Sequence, residues 1–177
     1  LRLALRQPDD RRLIVIHMLG SHFNYRNRYP DRFDVFRPSL SNEESVNPYE
    51  VAKKQQIKNA YDNSILYTDH VLASIIRELE ATREDSALLF MSDHGQALFD
   101  GVCATATHGL LSSTILHVPL FVSATESFLA RREDTRGALS TNRSRPVTVE
   151  SVYPTLLDLV GRLHPLHLVH LVPLLAA

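Results

Sequence analysis

Apolar residues along the chain fall into short unbroken runs and longer periodic stripes, and the two patterns predict different elements. Ala87-Leu88-Leu89-Phe90-Met91 is continuous and too short for a typical helix, so it reads as a strand buried on both faces. Leu13-Ile14-Val15-Ile16 is a β-branched run and predicts a first strand. His117 to Ser123 predicts another, with Pro119 near its start, where proline is tolerated. Between the first two runs, Ile57, Tyr61, Ile65, Thr68, Val71, Leu72, Ile75, Ile76 and Leu79 recur at three- and four-residue steps. That is the stripe of an amphipathic helix, predicted from about Pro48 to Ala81 with an irregularity near Asn63. Asn47-Pro48-Tyr49-Glu50 supplies its start signal: a capping amide, a proline suited to the first turn, and a glutamate placed as in a capping box. Val149, Val152, Leu156, Leu157, Leu159 and Val160 give a second such helix, over 147–161, with Gly161 as its stop.

Other segments lack either pattern. Phe23 to Asn47 mixes aromatic, Arg, Pro and Asn residues irregularly and predicts an ordered loop pinned by its aromatics. A loop that long in a compact domain is usually functional. Gln96 to Thr107 reads as loop, and the charged stretch from Glu126 to Pro146 as a surface helix and linker. Strand, crossover helix and strand in alternation predict an α/β fold with a largely parallel sheet flanked by helices.

The chemistry gathers where the apolar runs stop. The second residue after Met91 is a carboxylate and the next an imidazole: Ser92-Asp93-His94-Gly95. Ligands in open parallel sheets collect beyond the carboxyl ends of strands, and an oxygen donor beside an imidazole suits zinc. The first strand ends in the same way, in His17-Met18-Leu19-Gly20-Ser21-His22, and His108-Gly109 precedes the last one. Taken singly, each of these also reads as an ordinary turn with a capping Asp93 or a solvated histidine. Tyr61-Asp62-Asn63 could orient a site residue or simply bond within its helix. His164, His167 and His170 repeat at three-residue spacing, but Pro165 and Pro173 break any long helix there and no carboxylate accompanies them.

Composition narrows the classes. With 44% hydrophobic and 22% charged residues in 177, the chain has enough apolar matter for one sizeable core. A formal net charge of −1 argues against a dedicated nucleic-acid binder. Arg26, Arg28, Arg32 and Arg37 leave room for a local anion site. The single Cys103 excludes an internal disulfide and a multi-cysteine metal site, and it reads as a packing or loop residue. No stretch approaches the about 20 apolar residues of a membrane span, and no signal-peptide pattern opens the chain. It begins without methionine, which predicts that it opens inside a larger protein.

His17-Met18-Leu19-Gly20-Ser21-His22, Arg28-Tyr29-Pro30, the run from Asn59 to Asp69, Ser92-Asp93-His94-Gly95 and His108-Gly109 come in an order that resembles the phosphoethanolamine transferase family, from about Leu13 to Gly161. The resemblance implies a partial sulfatase-like catalytic domain of the alkaline phosphatase superfamily over 1–161, followed by an unmatched apolar tail over 162–177. It implies zinc as cofactor, held by Asp93 and His94, with His17, His22 and His108 lining the site of the transferred phosphoryl group, where some can hold a second zinc. The implied reaction is a two-step transfer of phosphoethanolamine from phosphatidylethanolamine, through a threonine, to lipid A or the lipopolysaccharide core. The implied place is the periplasmic face of an inner membrane, reached through an N-terminal membrane part.

Departures from the family pattern qualify this. Leu1 to Arg12 contains neither the nucleophilic threonine nor the glutamate that completes the zinc shell. Gln96 stands where the family usually has Glu, and Phe99-Asp100 replaces a Leu-Gly-Glu run. Two zinc ligands make a poor site, since zinc normally takes three or four from protein. The resulting expectation is the C-terminal part of a transferase that is inactive alone. A truncated, inert relative and another phosphate or sulfate ester hydrolase of the superfamily are the alternatives.

Overall fold

In a computed structural model, the residues described are 1–7, 11–42, 46–100, 104–109, 111–161 and 168–174, the last by backbone alone. Cys103, His164 and His167 lie outside them, as does the side chain of His170. The fold is α/β. Backbone contacts divide the chain into two units, one of Leu1–Ile14, Ile75–Met91 and Leu120–His170, the other of Val15–Ser74, Ser92–Pro119 and Leu171–Ala177.

The first unit is built on a ribbon of β2 (Ala87–Met91) and β5 (Leu120–Ala124). They pair antiparallel, with Leu89 opposite Val122 and Phe90 opposite Phe121, and the two phenyl rings lie 5.3 Å apart. The short helices α4 (Glu126–Ala130), α5 (Glu133–Asn142) and α6 (Val152–Val160) follow. Arg132 joins them: its guanidinium lies over the buried Phe128 ring and donates to the Leu159 carbonyl at 2.7 Å, satisfying the end of α6. Gly161 stops α6 at φ +78°, as its position in the sequence predicts. At the N-terminus, α1 (Arg2–Leu5) is held by Arg12, whose guanidinium donates to the Leu5 and Gln7 carbonyls and meets Glu84 at 2.9 Å.

The second unit forms around α2 (Lys54–Thr82), which begins there and runs unbroken through Asn63. The predicted start at Pro48 comes too early. Asn47 instead caps a turn, accepting the Tyr49 N–H at 3.0 Å, and the Pro48 carbonyl takes the Ala106 N–H and the Thr105 hydroxyl. Its buried face carries Ile57, Ala60, Asn63 and Ser64, and its apolar core is shared with Tyr25, Tyr29, Leu40, Phe99 and Ala106. The 23–47 loop is thus part of the core. Asn63 clamps it from the helix side: its Oδ1 accepts the N–H groups of Val35 at 3.0 Å and Phe36 at 2.8 Å, and its Nδ2 donates to Asp34, the Phe36 carbonyl and the Tyr29 hydroxyl.

The expected parallel sheet is corrected. Both pairings resolved in register, β2 with β5 and the two-residue β3 (Ala97–Leu98) with β4 (Ala106–Thr107), are antiparallel. The expectation rested on β1 (Leu13–Met18), α2 and β2 forming a crossover unit. In the structure β1 neighbours β6 (Leu168–Leu174), inside the tail, and β2 neighbours β5. Periodicity places strands, but it does not choose their partners. Among the described residues no helix is long and apolar enough to cross a membrane.

Candidate functional site

Three loops of the second unit carry the candidate side chains, and each loop is closed by a local device. After β2, the Ser92 N–H reaches the Pro119 carbonyl at 3.3 Å and its hydroxyl donates to the His94 carbonyl at 2.8 Å. Gly95 then presses against α3 (Ser113–Leu116), donating its N–H to Ile115 at 2.7 Å. A Cβ at position 95 would lie 2.0 Å from the Thr114 carbonyl oxygen, so this approach requires glycine. The second loop turns at Leu19–His22, closed by the His22 N–H on the Leu19 carbonyl, with Gly20 at φ +52°. The third follows β4 and carries His108, with the Gly109 N–H held by the Thr107 hydroxyl.

These loops bring together Asp93, His94, His108 and His22. The His94 and His108 rings stack at 4.3 Å, and the His22 and His108 rings stand 6.4 Å apart, tilted by 54°. The Asp93 Oδ2 lies 3.9 Å from His94 Nε2, and its side chain is 87% exposed, open to a cation or substrate. His17 is not brought in: it is exposed within β1, and among the described residues no hydrogen bond or ring contact joins it to the others. The sequence ended that strand at Ile16, whereas the observed strand runs on through Met18. His17 is therefore a strand position pointing out, and only His22 belongs to the following loop.

The donor chemistry at Asp93 and His94 fits zinc. His94 Nδ1 lies 2.7 Å from the Gly95 carbonyl, which can only accept, so in the neutral ring Nδ1 carries the proton and Nε2 keeps its lone pair. A metal-binding histidine is normally fixed in this way, by a second partner on the other ring nitrogen. His22 is held alike, Nδ1 against the Phe23 carbonyl at 3.0 Å. Completeness is another matter. Among the described residues no three His, Cys, Asp or Glu side chains converge on one metal position. Stacking turns the faces of His94 and His108 toward each other, which does not aim their nitrogens at a common point.

Around the site the structure adds contacts that sequence patterning did not predict. Lys58 meets Asp100 at 3.1 Å, and Asp100 also accepts the Leu98 N–H at 2.9 Å. Burial pushes the Asp100 carboxyl up, but the Leu98 N–H and Lys58 outweigh it and hold it below its ordinary value. This pins the segment after Gly95, where Phe99 takes a positive φ of 62°. Arg28 donates to the carbonyls of His22 and Phe23. Neither contact has a sequence signature beyond a charged residue of suitable length.

The sulfatase family model matches residues 1–162. Phosphoethanolamine transferase EptC of Escherichia coli O18:K1:H7 is 39% identical over 97 residues, 55% of this chain and 16% of that protein. The Kdo(2)-lipid A phosphoethanolamine 7''-transferase of E. coli K12 is 28% identical over 166 residues, 90% of this chain and 28% of that protein. The crystal structure of the C-terminal periplasmic domain of E. coli EptC, a complex with Zn, superposes with a TM-score of 0.73 at 26% identity, over 90% of this chain and 44% of that one. The chain thus spans well under a third of these curated relatives and less than half of the solved domain.

Proposed function

Because the chain belongs to the sulfatase family, we propose that it forms the C-terminal part of a zinc-dependent phosphoethanolamine transferase. The observation that carries this reading is the corner where Asp93, His94, His108 and His22 meet, with His94 Nε2 left free beside a carboxylate. Asp93 and His94 would hold the zinc. When bound, the metal supplies charge neutralisation for phosphoryl oxygens and a lowered pKa for a hydroxyl nucleophile. His22, through the ring nitrogen its loop leaves free, and His108 would stabilise the phosphoryl charge or move protons to and from it. His17, nearby in sequence, would join them only if its outward-facing strand end met substrate.

The threonine nucleophile and the remaining zinc ligand would come from outside these residues. With two ligands the chain alone would hold zinc weakly and transfer little. The donor would be phosphatidylethanolamine and the acceptor lipid A or core sugar, in the periplasm. The lipid A acceptor and the periplasmic place extend to the chain what is said of the Kdo(2)-lipid A transferase and the periplasmic EptC domain, and the donor and core-sugar acceptor extend the family resemblance. A catalytically inert relative is the second reading, favoured by the absence of three converging donors among the described residues.

Calorimetric zinc titration of the 177-residue chain tests the assignment. Weak saturable binding is expected, reduced about tenfold or more by Asp93→Asn or His94→Gln, in the range that loss of a metal-site partner costs. Binding that neither substitution alters would remove both residues from the metal site. No binding at all would favour the inert relative.

A further inference from the structure

We propose that Arg28 is a positioning residue that fixes the ring orientation and tautomer of His22. The proposal rests on the reading above only in taking His22 to line the site. Arg28 Nε donates to the His22 carbonyl at 3.1 Å, and its Nη2 donates to the Phe23 carbonyl at 3.0 Å. These are consecutive carbonyls of the backbone that carries the imidazole. The Phe23 oxygen also accepts from His22 Nδ1 at 3.0 Å. One carbonyl is therefore shared by the guanidinium and the imidazole, and holding that oxygen still holds the ring.

A further observation separates Arg28 from its neighbours. Arg26 pairs with Asp31, and Arg37 lies 3.1 Å from Asp34. Arg32 spreads over the Phe33 ring. Arg28 faces no carboxylate among the described residues; its partners there are the two carbonyls. It is also half-buried, and burial pushes its pKa below the ordinary guanidinium value while leaving it charged near neutrality. His22, for its part, is exposed, and its other ring neighbour is His108 at 6.4 Å, beyond packing contact. Nothing else in its described surroundings chooses between its two ring nitrogens. With Nδ1 protonated and tied down, Nε2 presents a lone pair outward, the form that can accept a proton or bind a cation.

A planar fork is needed to span two successive carbonyls, so lysine is not an equivalent. The experiment is side-chain nitrogen NMR on the full chain with labelled histidine, the His22 signals being identified by their loss in His22→Gln. In the unsubstituted protein His22 is expected to be mainly the Nδ1–H tautomer, with a slowly exchanging Arg28 Nε proton. Arg28→Gln should switch the majority to Nε2–H, and Arg28→Lys should restore only part of the original preference. His70, which packs on Phe33 in the same unit, serves as the folding control and should keep its shifts. An unchanged His22 tautomer in Arg28→Gln would overturn the proposal. So would a fast-exchanging Arg28 Nε proton in the unsubstituted protein, a result that needs no variant to fold. Failure of the transferase reading looks different: zinc would leave the His94 signals unmoved while His22 still responded to Arg28.

Discussion

Replacing Asn63 by alanine should loosen the 23–47 loop and cost about 2–3 kcal/mol of stability. Asn63 is fully buried, and its carboxamide is the acceptor for two successive backbone N–H groups, those of Val35 and Phe36. Stranding a buried donor costs about 1–3 kcal/mol. Both residues are partly open to solvent, so water can reach the freed groups and the low end applies to each. The donor side loses less. Tyr29 Oη keeps Ser39 at 2.8 Å, and Asp34 keeps Arg37. The small void left by the carboxamide supplies the remainder. Against a total stability of about 5–15 kcal/mol, this is a large fraction. Urea unfolding followed by circular dichroism measures it, and amide exchange at Val35 and Phe36 shows whether the loss is local.

Asn63→Asp separates the two halves of the clamp. It preserves the acceptor for both N–H groups but sets a second carboxylate where Nδ2 now lies 3.0 Å from Asp34 Oδ1. Like charges at that distance raise a folded-state carboxyl pKa above its unfolded value. The repulsion is then present above the raised pKa, and stability recovers as pH falls through it. The Asp variant should therefore gain stability relative to the unsubstituted chain between about pH 8 and about pH 5, and the Ala variant should not. An alanine cost below about 0.5 kcal/mol, or an Asp variant that tracks the unsubstituted chain across that range, would refute the clamp.

Burial pushes the Tyr25, Tyr29 and Tyr61 hydroxyls up, so three of the six tyrosines should ionise late, their phenolate absorbance appearing together with unfolding. Because these folded pKa values lie above the unfolded one, their contribution is whole below about pH 10 and is lost as pH rises through the folded values. Tyr25→Phe should be neutral or stabilising by up to about 1 kcal/mol in thermal melts, since the buried Tyr25 hydroxyl has no hydrogen-bond partner among the described residues. Gly95→Ala should cost about 2–4 kcal/mol, because the Thr114 carbonyl has to yield to the new Cβ, and an unchanged melting temperature would contradict that approach.

Helix α2 was legible because nine apolar positions repeat along it, and the strands were legible as unbroken apolar runs. What periodicity could not carry was the choice of partners. The alternation β1, α2, β2 predicts adjacency of the two strands, whereas β2 takes β5 and β1 takes β6. Asn63 shows the same limit at the scale of one side chain. Its sequence neighbours suggest a residue bonding within its own helix, yet its hydrogen bonds reach 27 to 34 residues back along the chain. Such contacts are fixed by how the loop folds over the helix, and a window of local sequence does not contain that information.

The candidate site divides along the same line. For two of the histidines the ring's hydrogen-bond partner is local, the Gly95 carbonyl for His94 and the Phe23 carbonyl for His22, each from the next residue in the chain. Residue type and a following glycine were therefore enough to nominate Asp93 and His94 as candidates. Convergence is a property of three separate loops, which spacing does not contain: His17 and His22 look equivalent in sequence, but β1 extends to Met18 and leaves His17 facing outward. His22 escapes that fate because Gly20 turns the chain before it and Arg28 holds the carbonyls after it. An imidazole near the end of a strand is turned toward neighbouring loops when something beyond the strand fixes its backbone, and in this chain the glycine turn and the guanidinium fork do so for His22.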